Sequence, residues 1–300
     1  MKILVIGGGD GTEREVSLRS CAAVQDGLTQ LGHVVTFLDY AGGDEAIRTL
    51  AAVQDLILPI MHGTGGEDGQ IQAILTPMGV PYLGSDMTAS ALCFDKVRLK
   101  ALLRAHDILT PMGEVVTAES FAKSPLTQAA FVLKPISDGS SMDTMIVRHL
   151  PYDSAKADAL LQKRGQMLLE ALIIGTEITV PILGDKALPV IEIIPPPGKD
   201  FDFENKYNGA TAELCPPVHV SAALQAQACE LALKIHTLAG ARHLSRSDFI
   251  IDAQDQLYVL EINTMPGMTR ESLYPKSAAE AGLSWKRLVE RLVELAITSG

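Results

Sequence analysis

Three oxygen-bearing side chains near the C-terminus carry the sharpest chemical signal. Asp248 falls on one apolar strand, and Glu261 and Asn263 lie two apart on the next, in YVLEIN. Strand side chains alternate, so Glu261 and Asn263 share a face. A carboxylate among apolar neighbours is costly unless something compensates it. Asp, Glu and Asn together are hard oxygen donors, as Mg²⁺ takes when it also holds phosphates. The competing explanation is cross-strand ion pairing, and Arg246, two before Asp248, shares that face. Gly267 follows in Met265-Pro266-Gly267-Met268 and can offer an N–H donor.

Other residues suit an anion. Lys134 sits inside the apolar strand FVLKP, so it either snorkels or is held for a negative charge. The next residues, Asp138-Gly139-Ser140-Ser141, offer hydroxyl and N–H donors, and a lysine beside such a loop can grip a triphosphate. Lys96, after Phe94-Asp95, reads alone as a solvated lysine. Glu170 and Glu177 flank a turn, where they can accept from a base amine and a ribose. Gly7 to Thr12 follows the first strand and opens a helix, where N–H groups can face an anion. It nearly matches a dinucleotide fingerprint, but Thr12 replaces the third glycine, and it is no Walker A loop. His62 begins a second glycine-rich loop, through Gly69, beyond the third strand; ligands of open α/β sheets bind at such ends.

The elements that position these residues follow from periodicity. Strands at Lys2–Ile6, His33–Leu38 and Asp55–Ile60 alternate with helices, which predicts βαβ units and a parallel sheet. The spacing predicts helices over 13–31, 87–105, 153–164 and 221–239, and an amphipathic one from Trp285. Strands are expected at Phe131–Pro135, Thr144–Val147 and Met167–Glu170. Two hairpins follow, Glu177–Leu183 with Leu188–Ile194 and Ser247–Asp252 with Gln256–Asn263. Pro195–Pro217 is a long loop, hence disordered or functional.

The chain has 300 residues, which predicts about two domains, with one or three allowed. Its net charge of −11 argues against wrapping a nucleic-acid backbone. No apolar run approaches the ~20 residues of a membrane span. Cys21, Cys93, Cys215 and Cys229 form no C-x-x-C pair and read as free thiols of a reducing compartment.

Together these segments resemble the D-alanine–D-alanine ligases of the ATP-grasp superfamily. The resemblance rests on Glu13 to Leu18 (EREVSL), His62 to Gly69, Ser90-Ala91-Leu92 with Asp95-Lys96, Lys134-Pro135 with Gly139-Ser140-Ser141, Lys206-Tyr207, Arg246-x-Asp248, and Glu261-x-Asn263-Thr264-x-Pro266-Gly267-Met268. They occur in family order along nearly the whole chain. The resemblance implies an α/β fold, α+β in its C-terminal part, with three domains: 1–86, 87–171 and 172–300. ATP would be clamped between the last two, under a lid at 195–217.

The resemblance also implies roles. Lys96, Lys134, Ser140 and Ser141 would hold phosphates, and Glu170 and Glu177 adenine and ribose. Asp248, Glu261 and Asn263 would bind two Mg²⁺, with Mn²⁺ as a substitute. Glu15 would take the ammonium of the first D-alanine, and Lys206 and Ser272 the carboxylate of the second. His62 and Leu273 complete the substrate set. Arg246 and the Gly267 N–H would stabilise an oxyanion, while Glu15, Ser140 and Tyr207 would form a hydrogen-bonded triad.

The implied activity is ATP-dependent ligation of two D-alanines for peptidoglycan precursors, in a cytoplasmic homodimer that binds no nucleic acid or membrane. Three departures stand out. Met142-Asp143-Thr144 replaces Val-Gly-Met after the serines, which stiffens the phosphate loop and adds a negative charge near the triphosphate. His243-Leu244-Ser245 replaces a glycine-rich approach to Arg246. Asp10-Gly11-Thr12 replaces Thr-Ser-Ala. They keep two alternatives open: a ligase with another amino or hydroxy acid, and a nucleotide-binding shell without turnover.

Overall fold

A computed structural model describes residues 1–196 and 210–298. The N-terminal part alternates β1 (Lys2–Gly8), α1 (Arg14–Gln30), β2 (Val34–Tyr40), α2 (Asp44–Ala51), β3 (Leu56–Pro59) and α3 (Gln70–Leu75). Its sheet is parallel, in the order β2-β1-β3. β1 reads as a continuous apolar run because both of its faces are covered. On α1, Val16, Val24 and Leu28 are buried at helical spacing. Gly32, at φ 80°, turns the chain out of the helix.

The helix expected over 87–105 is two helices, α4 (Met87–Phe94) and α5 (Lys96–Ala105). Asp95 is the break: its backbone is extended, and its carboxylate accepts from the N–H groups of Val97 and Arg98. Such a cap satisfies donors that the new helix leaves orphaned. Continuous periodicity hides this break, which makes Lys96 the first residue of α5. Leu99 and Leu103 of α5 pack into the core of the C-terminal sheet, across the expected 171/172 boundary.

β4 (Gly113–Val116), α6 (Ala118–Phe121), β5 (Phe131–Lys134), β6 (Met145–Val147), α7 (Ser154–Arg164) and β7 (Met167–Ala171) come next. The four strands form an antiparallel sheet in the order β4-β7-β5-β6. Phe121, Phe131 and Tyr152 meet edge to face beneath it.

The C-terminal part holds β8 (Gly175–Leu183), β9 (Lys186–Ala187), β10 (Ile191–Ile194), β11 (Ala212–Leu214), α8 (Ala222–Leu238), β12 (Leu244–Asp252), β13 (Leu257–Asn263), α9 (Leu273–Glu280) and α10 (Trp285–Thr298). Its sheet runs β11-β10-β8-β12-β13, with β9 beside β8. Both expected hairpins form. The expected loop 195–217 is partly strand, because Ala212–Leu214 pairs with Ile194–Glu192. Most of the rest of that loop, with Lys206 and Tyr207, lies outside the described residues. The terminal helix docks on the first unit: Leu288, Val289 and Leu292 share a buried cluster with Ile3, Val5 and Val24.

Candidate active site

A cleft of about 510 Å³ opens between the four-stranded and six-stranded sheets. Lys96, Lys134, Ser141, Glu170, Glu177, Asp248 and Glu261 all line it. Residues from four different sequence regions thus converge on one space.

The carboxylate wall is built by strand register. Asp248 stands opposite Glu261, and Arg246 opposite Asn263. A bulge shifts the register after Asp248, so Leu260 and Glu261 both reach the cleft. Arg246 donates to both oxygens of Asp248, each at 2.9 Å, and Thr179 donates to Asp248 Oδ1 at 2.5 Å. Lys96 Nζ lies 3.4 Å from Glu261. Burial works against the Arg246 charge, but Asp248 outweighs it and holds Arg246 well above its ordinary value. The ion pairs expected of this face exist, and the two carboxylates also line the cleft, with Asn263 beside them on the ladder opposite Arg246. Asn263 Oδ1 accepts from the Met265 N–H at 3.0 Å. Among the described residues no three His, Cys, Asp or Glu side chains cluster as a metal site, and the set here has two carboxylates.

The lysine wall has a hidden partner. Glu170 does not point its carboxylate free into the cleft as expected. Its Oε1 pairs with Lys100 Nζ at 2.6 Å, and its Oε2 with Lys134 Nζ at 2.8 Å. Lys100 also donates to Thr110 Oγ1 at 2.7 Å. Side-chain exposures of 1% for Lys100, 2% for Glu170 and 12% for Lys134 make this a buried triad open only at Lys134. Burial opposes the Glu170 charge, but Lys134 and Lys100 outweigh it and hold Glu170 below the ordinary carboxylate range. Burial, then Lys134, pulls Lys100 down to about 8. Sequence reasoning missed Lys100, which reads as one more helical lysine.

The expected glutamate also changes. Ser140 Oγ donates to Glu13, not Glu15. Glu13 is buried, and a Cβ at Gly139 or Gly63 would collide with its Oε2. Glu15 is exposed on the first turn of α1. The two residues differ by about 200° around a helix, so only one can face the loops. The EREV segment offers both glutamates, and only the packing separates them.

His62 is buried rather than open to a ligand. Its Nε2 meets Ser20 Oγ at 3.0 Å and its Nδ1 meets the Met265 carbonyl at 2.9 Å, so both ring nitrogens are engaged. Glu67, also absent from the expected set, accepts from the N–H groups of Gly63 and Met265. Burial, then the Glu13 charge, pushes it up to about 8. Ser272 Oγ pairs with Thr269 Oγ1 at 2.7 Å, and a Cβ at Gly267 would lie 2.9 Å from it, so these residues adjoin. Leu273 turns its side chain onto Ile191 and Ile193 instead of the cleft.

The departures are absorbed by packing. His243 Nδ1 accepts from the Gly84 N–H, and Ser245 Oγ meets His236 Nδ1 at 2.7 Å. Burial lowers both histidines to about 4, so they are neutral core groups. Asp143 pairs with Lys163 and Arg164, which lowers its pKa, chiefly through the Lys163 hydrogen bond. The first glycine turn is filled by its own chain: Gly8 N–H donates to Ser17, and Arg14 pairs with Asp39. Cys21 and Cys93 are buried thiols, each pushed up to about 12 by burial. No helix among the described residues is long and apolar enough to cross a membrane.

Known proteins resemble this chain in sequence and fold. The profile of the D-ala D-ala ligase C-terminus family matches residues 102–294. A D-alanine--D-alanine ligase of Nitratidesulfovibrio vulgaris is 38% identical over 100% of this chain and 99% of its own length. A solved D-alanine--D-alanine ligase of Bacillus anthracis superposes with a TM-score of 0.86 at 29% identity, covering 100% of this chain and 98% of that one. The same ligase complexed with ATP gives a TM-score of 0.83 at 28% identity over the same shares. The chain belongs to the D-alanine–D-alanine ligase family.

Proposed function

We propose that this enzyme joins two D-alanines into D-alanyl-D-alanine at the expense of ATP, releasing ADP and phosphate, for peptidoglycan precursor synthesis. The observation that carries the reading is the single cleft lined by Lys96, Lys134, Ser141, Asp248 and Glu261. Membership of the family supports the substrate pair. The reading keeps ATP between the central and C-terminal units. It includes a homodimer and a cytoplasmic location, both carried by the sequence resemblance.

The chemistry follows from the charges. A carboxylate is a poor electrophile, so the first D-alanine is activated as an acyl phosphate before the second amine attacks. Lys96 and Lys134 offset phosphate charge as the phosphoryl group moves. Asp248, Glu261 and Asn263 are hard oxygen donors that fit two Mg²⁺, which would neutralise further charge on the phosphates. The first ammonium is assigned to Glu13, a reading supported by its bond from Ser140. Arg246 and the Gly267 N–H are the donors assigned to the tetrahedral oxyanion. His62 holds the loop at Met265 in place rather than exchanging protons.

The test is phosphate release from ATP and Mg²⁺ with D-alanine, L-alanine or no amino acid, with the product identified by mass. Release with D-alanine alone, together with the dipeptide mass, is expected. Equal release in all three arms would overturn the assignment.

A further inference from the structure

Asp143 occupies the place of a glycine in the family pattern, and it needs something to hold it there. Ser140, Ser141 and Asp143 all have left-handed φ, at 52°, 55° and 54°. Each such non-glycine residue costs energy and persists only when its surroundings over-determine it. At the two aspartates of the loop, one side chain is shared. Arg164, the last residue of α7, reaches Asp138 Oδ2 with Nη2 at 2.6 Å and Asp143 Oδ2 with Nε at 2.7 Å. Lys163 adds a contact to Asp143 Oδ1 at 3.0 Å. The carbonyl of Asp138 accepts from Lys96 Nζ at 2.9 Å.

One guanidinium therefore clamps both ends of the loop that carries Ser140 and Ser141. Arg164 side-chain exposure is 29%, and both aspartates are 14% exposed, so solvent screens the clamp less than an ordinary surface pair. Two acids meet two bases, so the charge of Asp143 is balanced within the clamp.

We propose that Arg164 and Asp143 form a latch that positions the phosphate loop for nucleotide, making Arg164 a positioning residue for ATP. The inference rests on the cleft being the ATP site. A loop held in one left-handed arrangement presents Ser140 and Ser141 ready-ordered, so less is lost when nucleotide binds. The sequence alone suggests the opposite, that Asp143 repels the triphosphate. The two ideas differ in sign.

The experiment compares wild type with Asp143→Asn, Arg164→Gln and the double variant. Asn tolerates left-handed φ, so Asp143→Asn keeps the backbone while removing the charge. Readouts are KM for ATP, kcat and Tm, with Mg·ADP affinity titrated without amino acid. The latch predicts that each single change raises KM for ATP about tenfold, with kcat changed far less. It also predicts that the double variant is no worse than the worse single, because both break one device. Arg164→Lys reaches one acid at a time and recovers only part of the affinity. A KM that falls in Asp143→Asn, or stays within about twofold in both singles, overturns the latch. Failure of the function reading looks different: wild type would then release no phosphate in response to D-alanine, while Mg·ADP titration still reports on the loop.

Discussion

Replacing Lys100 with methionine probes the most buried charged side chain among the described residues. Methionine fills nearly the same volume, so the change removes charge and hydrogen bonds rather than packing. Glu170 then keeps one cation, Lys134, at 2.8 Å, and loses the one at 2.6 Å. Breaking a buried ion pair by removing one partner costs about 3–5 kcal/mol. Because Lys134 still serves the carboxylate, the lower end applies, about 3 kcal/mol. At about 2.1 cal/mol/K of unfolding entropy per residue, a chain of 300 residues then loses roughly 5 °C in Tm. The functional effect is separate. Two lysines around one carboxylate leave a net positive charge facing the cleft. Lys134 with Glu170 alone leaves none.

KM for ATP should therefore rise about tenfold, equivalent to about 1.4 kcal/mol. Thr110→Val removes only the hydroxyl acceptor at 2.7 Å and should cost about 1 kcal/mol with little change in KM. Wild type offers a pH check on the same idea. Lys100 loses its proton near pH 8, below its ordinary value. Below that pH the triad holds two cations, and above it one. Affinity for ATP should weaken as pH rises past about 8, on top of any titration of the substrates. Thermal melts and ATP saturation curves on the two variants decide the matter. A Lys100→Met protein that melts with wild type and binds ATP equally well would refute the reasoning.

Two further outcomes follow from the site. Glu13→Gln should lower D-alanine-dependent phosphate release about a hundredfold, while Glu15→Gln stays within about twofold. A larger loss at Glu15 would reverse the assignment made from Ser140. Glu261→Gln should remove several kcal/mol of metal-borne charge stabilisation, about a thousandfold in rate for 4 kcal/mol, with Tm unchanged. Activity near wild type, with an unaltered Mg²⁺ titration, would remove Glu261 from the metal set.

Much of the site was legible in the chain because strand and loop chemistry is local. Alternation alone put Glu261 and Asn263 on one face, and the register later set Asp248 opposite Glu261. The parallel N-terminal sheet, both hairpins and the need of Lys134 for a negative partner, met by Glu170, followed from short apolar runs and their interruptions. The ordered motifs pointed to the family before any coordinates.

What depended on tertiary structure concerns partners far apart in sequence. Glu13 and Glu15 are equivalent as residue types, and only the close approach of Gly63 and Gly139 selects Glu13. Lys100 and Glu170 carry no mark of each other until α5, packed on the core of the C-terminal sheet, brings Lys100 Nζ to 2.6 Å from Glu170 on β7. His62 read as a ligand-facing loop residue, but contacts with Ser20 and Met265 use both its nitrogens. Asp143 looked like an unwelcome negative charge until Lys163 and Arg164 stood beside it. Residue type and spacing settle which chemistry the chain can perform and which strands present it. Whether a given charge is free or neutralised depends on burial and on the nearest opposite charge, and long-range packing sets both.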